Sequence, residues 1–444
     1  MIKEFLRTLN IAAPIIISNI AQIALLLVDS AMIGRIDYLQ LASSSLVINV
    51  MAIPQVLGMG ISVAISPLVA IANGRKEVST ASKVLFNGLL LCIITSLILS
   101  GGLIFYKDLL FHLGQDPAVA KLALPFYEII AWSLIPMMVF IAVKQFTDAL
   151  EFTRTGMILT VLSLPLNVFL NWVFIYGNLG MPRLELFGAG ISTFITRVVI
   201  AVTLIIVVLR HKVFNPYIKV WRQAWKVNFK LWKELLQIGI PSCLQYGMEA
   251  GAFSVSGIMI GWLGATAQAA HQIALNLSSA TFMAATGLSL GGSIRVANAY
   301  GRGQKQQLRL IGKSTAAGGL IYGFTCGLLF ILLRHRLPFI FTINAEVAAM
   351  ASSLLIFGAL FQVSDTSQTI AVGLLRGIKD VKLPTAFVGI AYWVIGIPIG
   401  YFLAFKQNMG ASGIWLGFLV GLTVSSLLLN TRFLTKTKIE NNKF

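Results

Sequence analysis

Three acidic side chains lie inside long apolar runs of this 444-residue chain. They are Asp29 in Leu26-Leu-Val-Asp29-Ser-Ala-Met-Ile-Gly34, Glu249 beside Met248, and Asp365 in Phe361-Gln-Val-Ser-Asp365-Thr-Ser-Gln368. A charged group at the centre of a bilayer costs about 2.5–3.5 kcal/mol on insertion scales, so a purely structural helix avoids it. A carboxylate kept there has two obvious uses: it attracts a cation, or it binds and releases a proton. The composition makes the setting plain. The chain is 57% hydrophobic and 11% charged, whereas soluble domains carry roughly 25% charged residues. Ordinary soluble, disordered, collagen-like and disulfide-scaffold classes are excluded. Cys92, Cys243 and Cys326 stand far apart within apolar runs and read as buried reduced thiols.

The remaining polar residues in apolar runs sort by their neighbours. Asn167 and Asn171 are four apart and share one helix face. Glu249 and Asp365 both fall in the second half of the chain and Asp29 in the first, an asymmetry that suggests different tasks for the two halves. Glu128, Asp148 and Glu151 sit near span ends, close to Lys144 and Arg154, and read as local ion pairs. Arg197 and Arg295 are expected to pair or to snorkel. His271 is expected to be a hydrogen-bonded helix residue rather than a ligand.

These residues have to be positioned by transmembrane helices, each needing about 20 mostly apolar residues. Twelve runs qualify: 11–33, 46–72, 86–106, 122–143, 156–176, 187–209, 235–261, 270–298, 314–333, 347–371, 384–405 and 411–431. The first is longer than a signal-peptide core and is expected to be retained. Of 34 Lys and Arg, 26 fall in the termini and loops of one side, seven on the other, and Arg197 inside the sixth span. That bias puts both termini in the cytoplasm and explains the net charge of +18 as topology rather than affinity for nucleic acid. The longest connection, 210–233, alternates aromatic and basic residues from Trp221 to Lys233. It is expected to be an amphipathic helix at the cytoplasmic lipid interface.

Sliding the chain over itself by 227 residues aligns 14–75 with 241–302. Fifteen of the 62 pairs are identical, among them Pro14/Pro241, Gly34/Gly261, Asn49/Asn276 and Arg75/Arg302. Six spans separate the copies, so both enter the membrane in the same direction. The expected fold is all-α and integral to the membrane: twelve transmembrane helices in two pseudo-symmetric six-helix lobes, a parallel repeat. The expected domains are an N-terminal lobe at 1–209, a linker at 210–233 and a C-terminal lobe at 234–444. Transporters use such lobes for alternating access, with the site near the midplane.

Several strings, in order and at matching spacing, resemble the multidrug and toxic compound extrusion (MATE) transporter family. They are Val28-Asp-Ser-Ala-Met-Ile-Gly34, Asn167-Val-Phe-Leu-Asn-Trp-Val-Phe-Ile-Tyr-Gly177, Gly188-Ala-Gly-Ile-Ser-Thr193, Met248-Glu249, Ala269-Ala-His-Gln-Ile-Ala-Leu-Asn276, Arg295-Val-Ala-Asn-Ala-Tyr-Gly301 and Leu375-Arg-Gly-Ile-Lys-Asp380. The resemblance covers nearly the whole chain and is nearest to the NorM-like branch. It implies export of organic cations and amphipathic drugs driven by inward Na+ or H+. It implies that Asp29, Glu249 and Asp365 couple the cation or proton, with Glu249 and Asp365 able to hold Na+. It also implies that Asn167, Asn171, Thr193, Gln272 and Phe361 belong to the cavity. Two positions depart from the pattern. Asn171 stands where the DinF-like branch often has an acid, and Phe361 stands where a tyrosine would offer an oxygen ligand.

The expected function is therefore a secondary multidrug antiporter of the cell's inner (plasma) membrane, a monomer with no cofactor beyond its coupling ion. Its expected partners are cationic or amphipathic drugs and membrane lipid, with no nucleic acid. A lipid-linked oligosaccharide flippase of the same broader group is the alternative, although a polyanionic substrate favours basic residues where this chain has acids. An enzyme finds no support, since there is no H-E-x-x-H or G-x-S-x-G string. An ATP-driven pump lacks its phosphate-binding G-x-x-x-x-G-K-[ST] loop, and a two-lobe repeat argues against a passive channel.

Overall fold

The computed structural model describes residues 1–112 and 116–438. Lys443, one of the basic residues counted above, lies outside the described residues, as do the side chains of Trp221 and Gln223. Among the described residues the regular structure is helical, and twelve helices run to 22 residues or more. They are α1 (Ile2–Gly34), α2 (Tyr38–Gly74), α3 (Val78–Phe105), α4 (Pro117–Ala149), α5 (Thr153–Phe174), α6 (Glu185–Arg210), α7 (Phe229–Gly261), α8 (Ala265–Gly301), α9 (Lys305–Leu333), α10 (Ala345–Gly377), α11 (Lys382–Lys406) and α12 (Ala411–Lys436).

Eleven of the twelve are both long and apolar enough to cross a membrane. The exception is α7. Its 33 residues exceed the span a bilayer needs at about 1.5 Å per residue. Its apolarity is diluted by Gln245, Glu249, Ser254 and Ser256 and by five glycines. The helix that reads least like a membrane span is thus one that carries a candidate acid.

The chain forms two compact units, one of Ile17–Cys243 and one of Met1–Ile16 with Leu244–Phe444. The changes of unit fall inside α1 and α7, after Ile16 and after Cys243, and these are equivalent positions of the 227-residue repeat.

In the Ile17–Cys243 unit, α2, α4, α5 and α6 enclose a core that includes Met51, Phe126, Tyr127, Ile175 and Leu186. Polar side chains close the helix ends around it. Gln40 Oε1 accepts from the backbone N–H of Leu186 at 2.9 Å, which satisfies a donor left free by the first turn of α6, and its amide nitrogen donates to Glu185. Arg197 is satisfied inside the unit, donating to Ser133 Oγ at 2.7 Å where α4 breaks. Of the three acids read as local ion pairs, Asp148 pairs with Lys144 at 2.8 Å as expected, Glu128 pairs with Lys107 at 2.7 Å rather than with Lys144 or Arg154, and Glu151 makes no ion pair among the described residues. The Glu128 carboxylate, accepting from Lys107, holds that ammonium above the ordinary lysine range.

The linker folds as two short helices, Asn215–Lys219 and Trp221–Ala224, rather than as one amphipathic helix. Fixed anchor points interrupt it. Tyr217 Oη donates to Asn73 Oδ1 at 3.1 Å, and Trp225 stacks on Phe86 with ring centroids 5.4 Å apart. The Asn87 side chain donates to Lys226 O and accepts from the Asn228 N–H. Asn228 Oδ1 in turn accepts from the N–H groups of Lys230 and Leu231 and caps the start of α7.

In the other unit, the first sixteen residues are tied down by a buried arginine. Arg295 donates to Glu4 O at 2.5 Å and to Thr8 Oγ1 at 2.9 Å, and pairs with the Glu4 carboxylate. Gly291 keeps α8 smooth where it meets Ala12, since a Cβ there would stand 3.0 Å from the Ala12 methyl. Replacing Arg295 leaves the partly buried Glu4 carboxylate with the exposed Arg7, at 3.2 Å, as its cationic partner, and the lost hydrogen bonds to a charged group cost about 1.5–3 kcal/mol. Arg295→Met is therefore expected to lower the melting temperature of the purified protein by several degrees. An unchanged melting curve would show that the N-terminal segment is held by apolar contacts alone.

The same unit contains α11, whose course is irregular. It widens into π-helical turns at Ile390–Gly396 and Phe402–Lys406, flanking Pro398, which has no N–H to donate to an earlier turn. Glycines make room for it on α12. A Cβ at Gly417 would stand 2.5 Å from the carbonyl oxygen of Gly396 and from the backbone of Gly400, and one at Gly413 would stand 2.5 Å from Ala404 N. This is the small-residue helix contact of membrane bundles. It fixes the rotation of α11, and with it the place of Tyr392.

Candidate functional site

The candidate acids fall into two clusters, one in each unit. In the Ile17–Cys243 unit the cluster is built on α1, α5 and α6. Asn171 Nδ2 donates to Asp29 Oδ1 at 2.6 Å and to Asn167 Oδ1 at 3.0 Å, so the four-residue spacing brings both amides to one face as expected. Asn167 Nδ2 and Asn171 Oδ1 are buried with no partner of their own. Thr193 is buried on α6, and Arg197, one turn further along, is near enough to Asp29 for their charges to attract. Asp29 therefore sits between an amide donor and a cationic side chain. Its charge is already balanced in part by the protein.

The second cluster lies on α7, α10 and α11. Glu249 Oε1 accepts from Gln245 Nε2 at 3.1 Å, one turn earlier on α7, and from Gln368 Nε2 at 3.3 Å on α10. Gln368 Nε2 also approaches Tyr392 Oη at 3.4 Å, in the first π-helical stretch of α11. Asp365 is buried, makes no hydrogen bond among the described residues, and lies close enough to Glu249 for the two charges to interact. Two carboxylates in one apolar pocket repel unless a cation or a proton lies between them. Arg376, two turns beyond Gln368, is a positive charge that Glu249 senses. It is itself engaged with Tyr246, donating to Oη at 3.2 Å and lying over the ring at 5.5 Å.

An aromatic wall backs this cluster. Phe361 packs on Trp415 and Phe253, with centroids 5.7 and 6.2 Å away, and Phe253 packs on Phe418 at 4.7 Å. Phe361 is thus placed one turn before Asp365 but buried among rings. Gln272 is elsewhere: its side chain is exposed and donates to Asn276 Oδ1 at 3.0 Å, apart from both clusters. His271 is buried and accepts from Trp415 Nε1 at 3.2 Å, a hydrogen-bonded helix residue as expected. All three cysteines are free and buried.

Gln245, Gln368, Tyr392 and Arg376 join the second cluster without having been singled out from the sequence. Two of them carried a local signal, for Gln245 precedes Glu249 by four and Gln368 follows Asp365 by three, which are same-face spacings. Among the described residues no group of three or more His, Cys, Asp or Glu could hold a metal. The second cluster instead offers two carboxylates with amide and phenol oxygens, a set suited to hard monovalent cations or protons.

The chain matches the MatE family over residues 14–173 and again over 241–402. The two matches begin at Pro14 and Pro241, the first identical pair of the internal repeat. It is 33% identical to the probable multidrug resistance protein NorM of Bradyrhizobium diazoefficiens, over 97% of this chain and 93% of that one. It is 30% identical to the multidrug resistance protein NorM of Vibrio cholerae, over 97% and 95%. Among solved structures, the eukaryotic MATE transporter AtDTX14 shares the fold with a TM-score of 0.86 at 21% identity, over 97% of this chain and 95% of that one. A transporter of the MOP superfamily from Pyrococcus furiosus, whose binding pocket is described as reversed in polarity, does so with a TM-score of 0.88 at 17% identity, over 98% and 96%. Two family matches covering most of the chain, two like halves and many membrane-spanning helices agree: this is a multi-pass membrane transporter rather than an enzyme, and it belongs to the MatE family.

Proposed function

We propose that this transporter is a secondary antiporter that exports cationic and amphipathic drugs from the cell in exchange for Na+ or H+. The observation that carries the reading is the pair Glu249 and Asp365, close enough to interact in a buried, aromatic-walled setting, with Asp365 making no hydrogen bond among the described residues. Such a pair is stabilised by a cation taken from outside. Asp29, the one carboxylate of the other unit's cluster, is the proton-responsive counterpart there. A cation bound at one cluster shifts the conformational equilibrium only by its difference in affinity for the two states. The relatives' names as multidrug resistance proteins support the cargo class. Acids rather than bases at the site favour cationic cargo over lipid-linked diphosphates.

In this reading the protein is a monomer of the inner (plasma) membrane, with both termini cytoplasmic and drug entering from the cytoplasm or the inner leaflet. Asn167, Asn171 and Thr193 serve the cavity of the first unit and Phe361 that of the second, while the exposed Gln272 meets drug only on its way through. Purified protein in liposomes is expected to move ethidium against its gradient when a Na+ gradient or a pH gradient is imposed. The gradient that drives efflux identifies the coupling ion. No ethidium movement under either would end the antiporter reading.

A further inference from the structure

Residues 210–233 carry seven Lys and Arg, and the chain has no Asp or Glu from Leu186 to Lys233. Lys212, Lys219, Lys226, Lys230 and Lys233 are exposed. Among the described residues none of the five makes an ion pair. Clustered charge of one sign attracts the opposite sign. Val227 and Phe229 stand among these lysines, 48% and 76% exposed.

The tethers fix the depth of this segment. Trp225 stacks on Phe86, and the Asn87 side chain donates to Lys226 O at 3.1 Å and accepts from the Asn228 N–H at 2.8 Å. Phe86 opens the apolar run 86–106 of α3, whose length at about 1.5 Å per residue matches the ~30 Å hydrocarbon core of a bilayer. The linker is thereby held level with the edge of that core rather than out in water. At that depth an exposed Phe or Val meets acyl chains, while a lysine stem lies along them and keeps its ammonium among the headgroups.

We propose that the linker is a binding surface for anionic phospholipid headgroups, of the phosphatidylglycerol class, in the adjoining leaflet. The lysines supply the charge complementarity. The exposed Val227 and Phe229 favour a lipid surface over a soluble polyanion. The proposal does not depend on the cargo or on the coupling ion.

The test uses the full-length protein in phosphatidylcholine liposomes with traces of spin-labelled phosphatidylglycerol or phosphatidylcholine, reading the fraction of label immobilised at the protein. A headgroup within reach of two such lysines is expected to be preferred about 10-fold over the zwitterionic one. A variant carrying Lys212→Gln, Lys219→Gln, Lys226→Gln and Lys230→Gln is expected to reduce that preference about fivefold or more. The same positions changed to Arg should keep it. So should Arg302→Gln, Lys305→Gln, Lys313→Gln and Lys382→Gln together, which neutralise exposed positions of the other unit. Salt at about 1 M, where the Debye length is about 3 Å, should erase the wild-type preference whatever the variants do. The assignment is overturned if the wild type shows no preference, if salt leaves it unchanged, or if the linker's Gln variant keeps it. It is also overturned if both Gln variants lose it equally, which marks the general charge of that side, or if the Arg variant loses it. Displacement of the labelled lipid by a single-stranded oligonucleotide would make a soluble polyanion the occupant instead.

Discussion

Replacing Asp365 by Asn is expected to reduce drug efflux to the level of cells lacking the transporter while the protein still reaches the membrane in normal amount. The substitution preserves volume and removes only the charge. Because Asp365 makes no hydrogen bond among the described residues, the fold loses nothing that the carboxylate was holding. What disappears is half of the acid pair, and with it the reason for a cation to bind near Glu249. A carboxylate buried without a partner is hard to explain as structural glue, since a neutral amide would serve better in that place. Ethidium accumulation, read beside an immunoblot of the membrane fraction, checks the expectation. Unchanged resistance in Asp365→Asn would sink the cation-site assignment.

Gly417→Leu is expected to have the opposite character, with loss of the protein itself. A Cβ at this position would stand 2.5 Å from the backbone of both Gly396 and Gly400, and backbone cannot swing aside as a side chain can. Overpacking in a core costs about 1–3 kcal/mol, occasionally more, and three backbone contacts at once place this case at the upper end. The helices would have to separate just where α11 passes through its π-helical turns. The displacement would carry Tyr392 away from Gln368, so any surviving protein should also bind cation poorly. Fluorescence-detected size exclusion of detergent extracts is expected to show aggregate or no monodisperse peak. A normal peak for Gly417→Leu would mean that α12 can tilt without disturbing its neighbour.

The acids and the asparagine pair were legible in the sequence because each breaks a rule that membrane helices otherwise keep. Asp29, Glu249 and Asp365 stand out through the insertion penalty, and Asn167 with Asn171 through their four-residue spacing. Gln245 was within reach through its four-residue spacing to Glu249, but Gln368 was not tied to that acid, since only the rotation of α7 against α10 shows that it faces Glu249. Tyr392 was hidden for a similar reason: it reaches Gln368 because α11 widens before Pro398, and periodicity assumes an even helix. Gln272, a motif residue, is exposed and donates to Asn276 rather than to either acid cluster. The linker's alternation of aromatic and basic residues suggested one helix, but Tyr217, Trp225 and Asn228 are each fixed by a different tether, and the tethers break it in two. The repeat was visible as an offset of 227. Apolar patterning, however, says which residues are buried and not which helices bury them, so the sorting of residues 1–16 with Leu244–Phe444 could not be read from it.

That sorting has a bearing on how the polypeptide is made. A ribosome releases α1 first, yet the residues around Glu4 and Thr8 have their partners on α8, nearly three hundred positions later. Domains generally fold as units while synthesis proceeds from the N-terminus. Here the middle of the chain can be finished while the opening segment still waits for Arg295 to emerge. Contacts of such long sequence separation form late and slowly. A gene cut between the two halves would therefore yield one fragment lacking its first sixteen residues and another carrying sixteen it cannot place, so joint production of both fragments is required to recover a folded transporter.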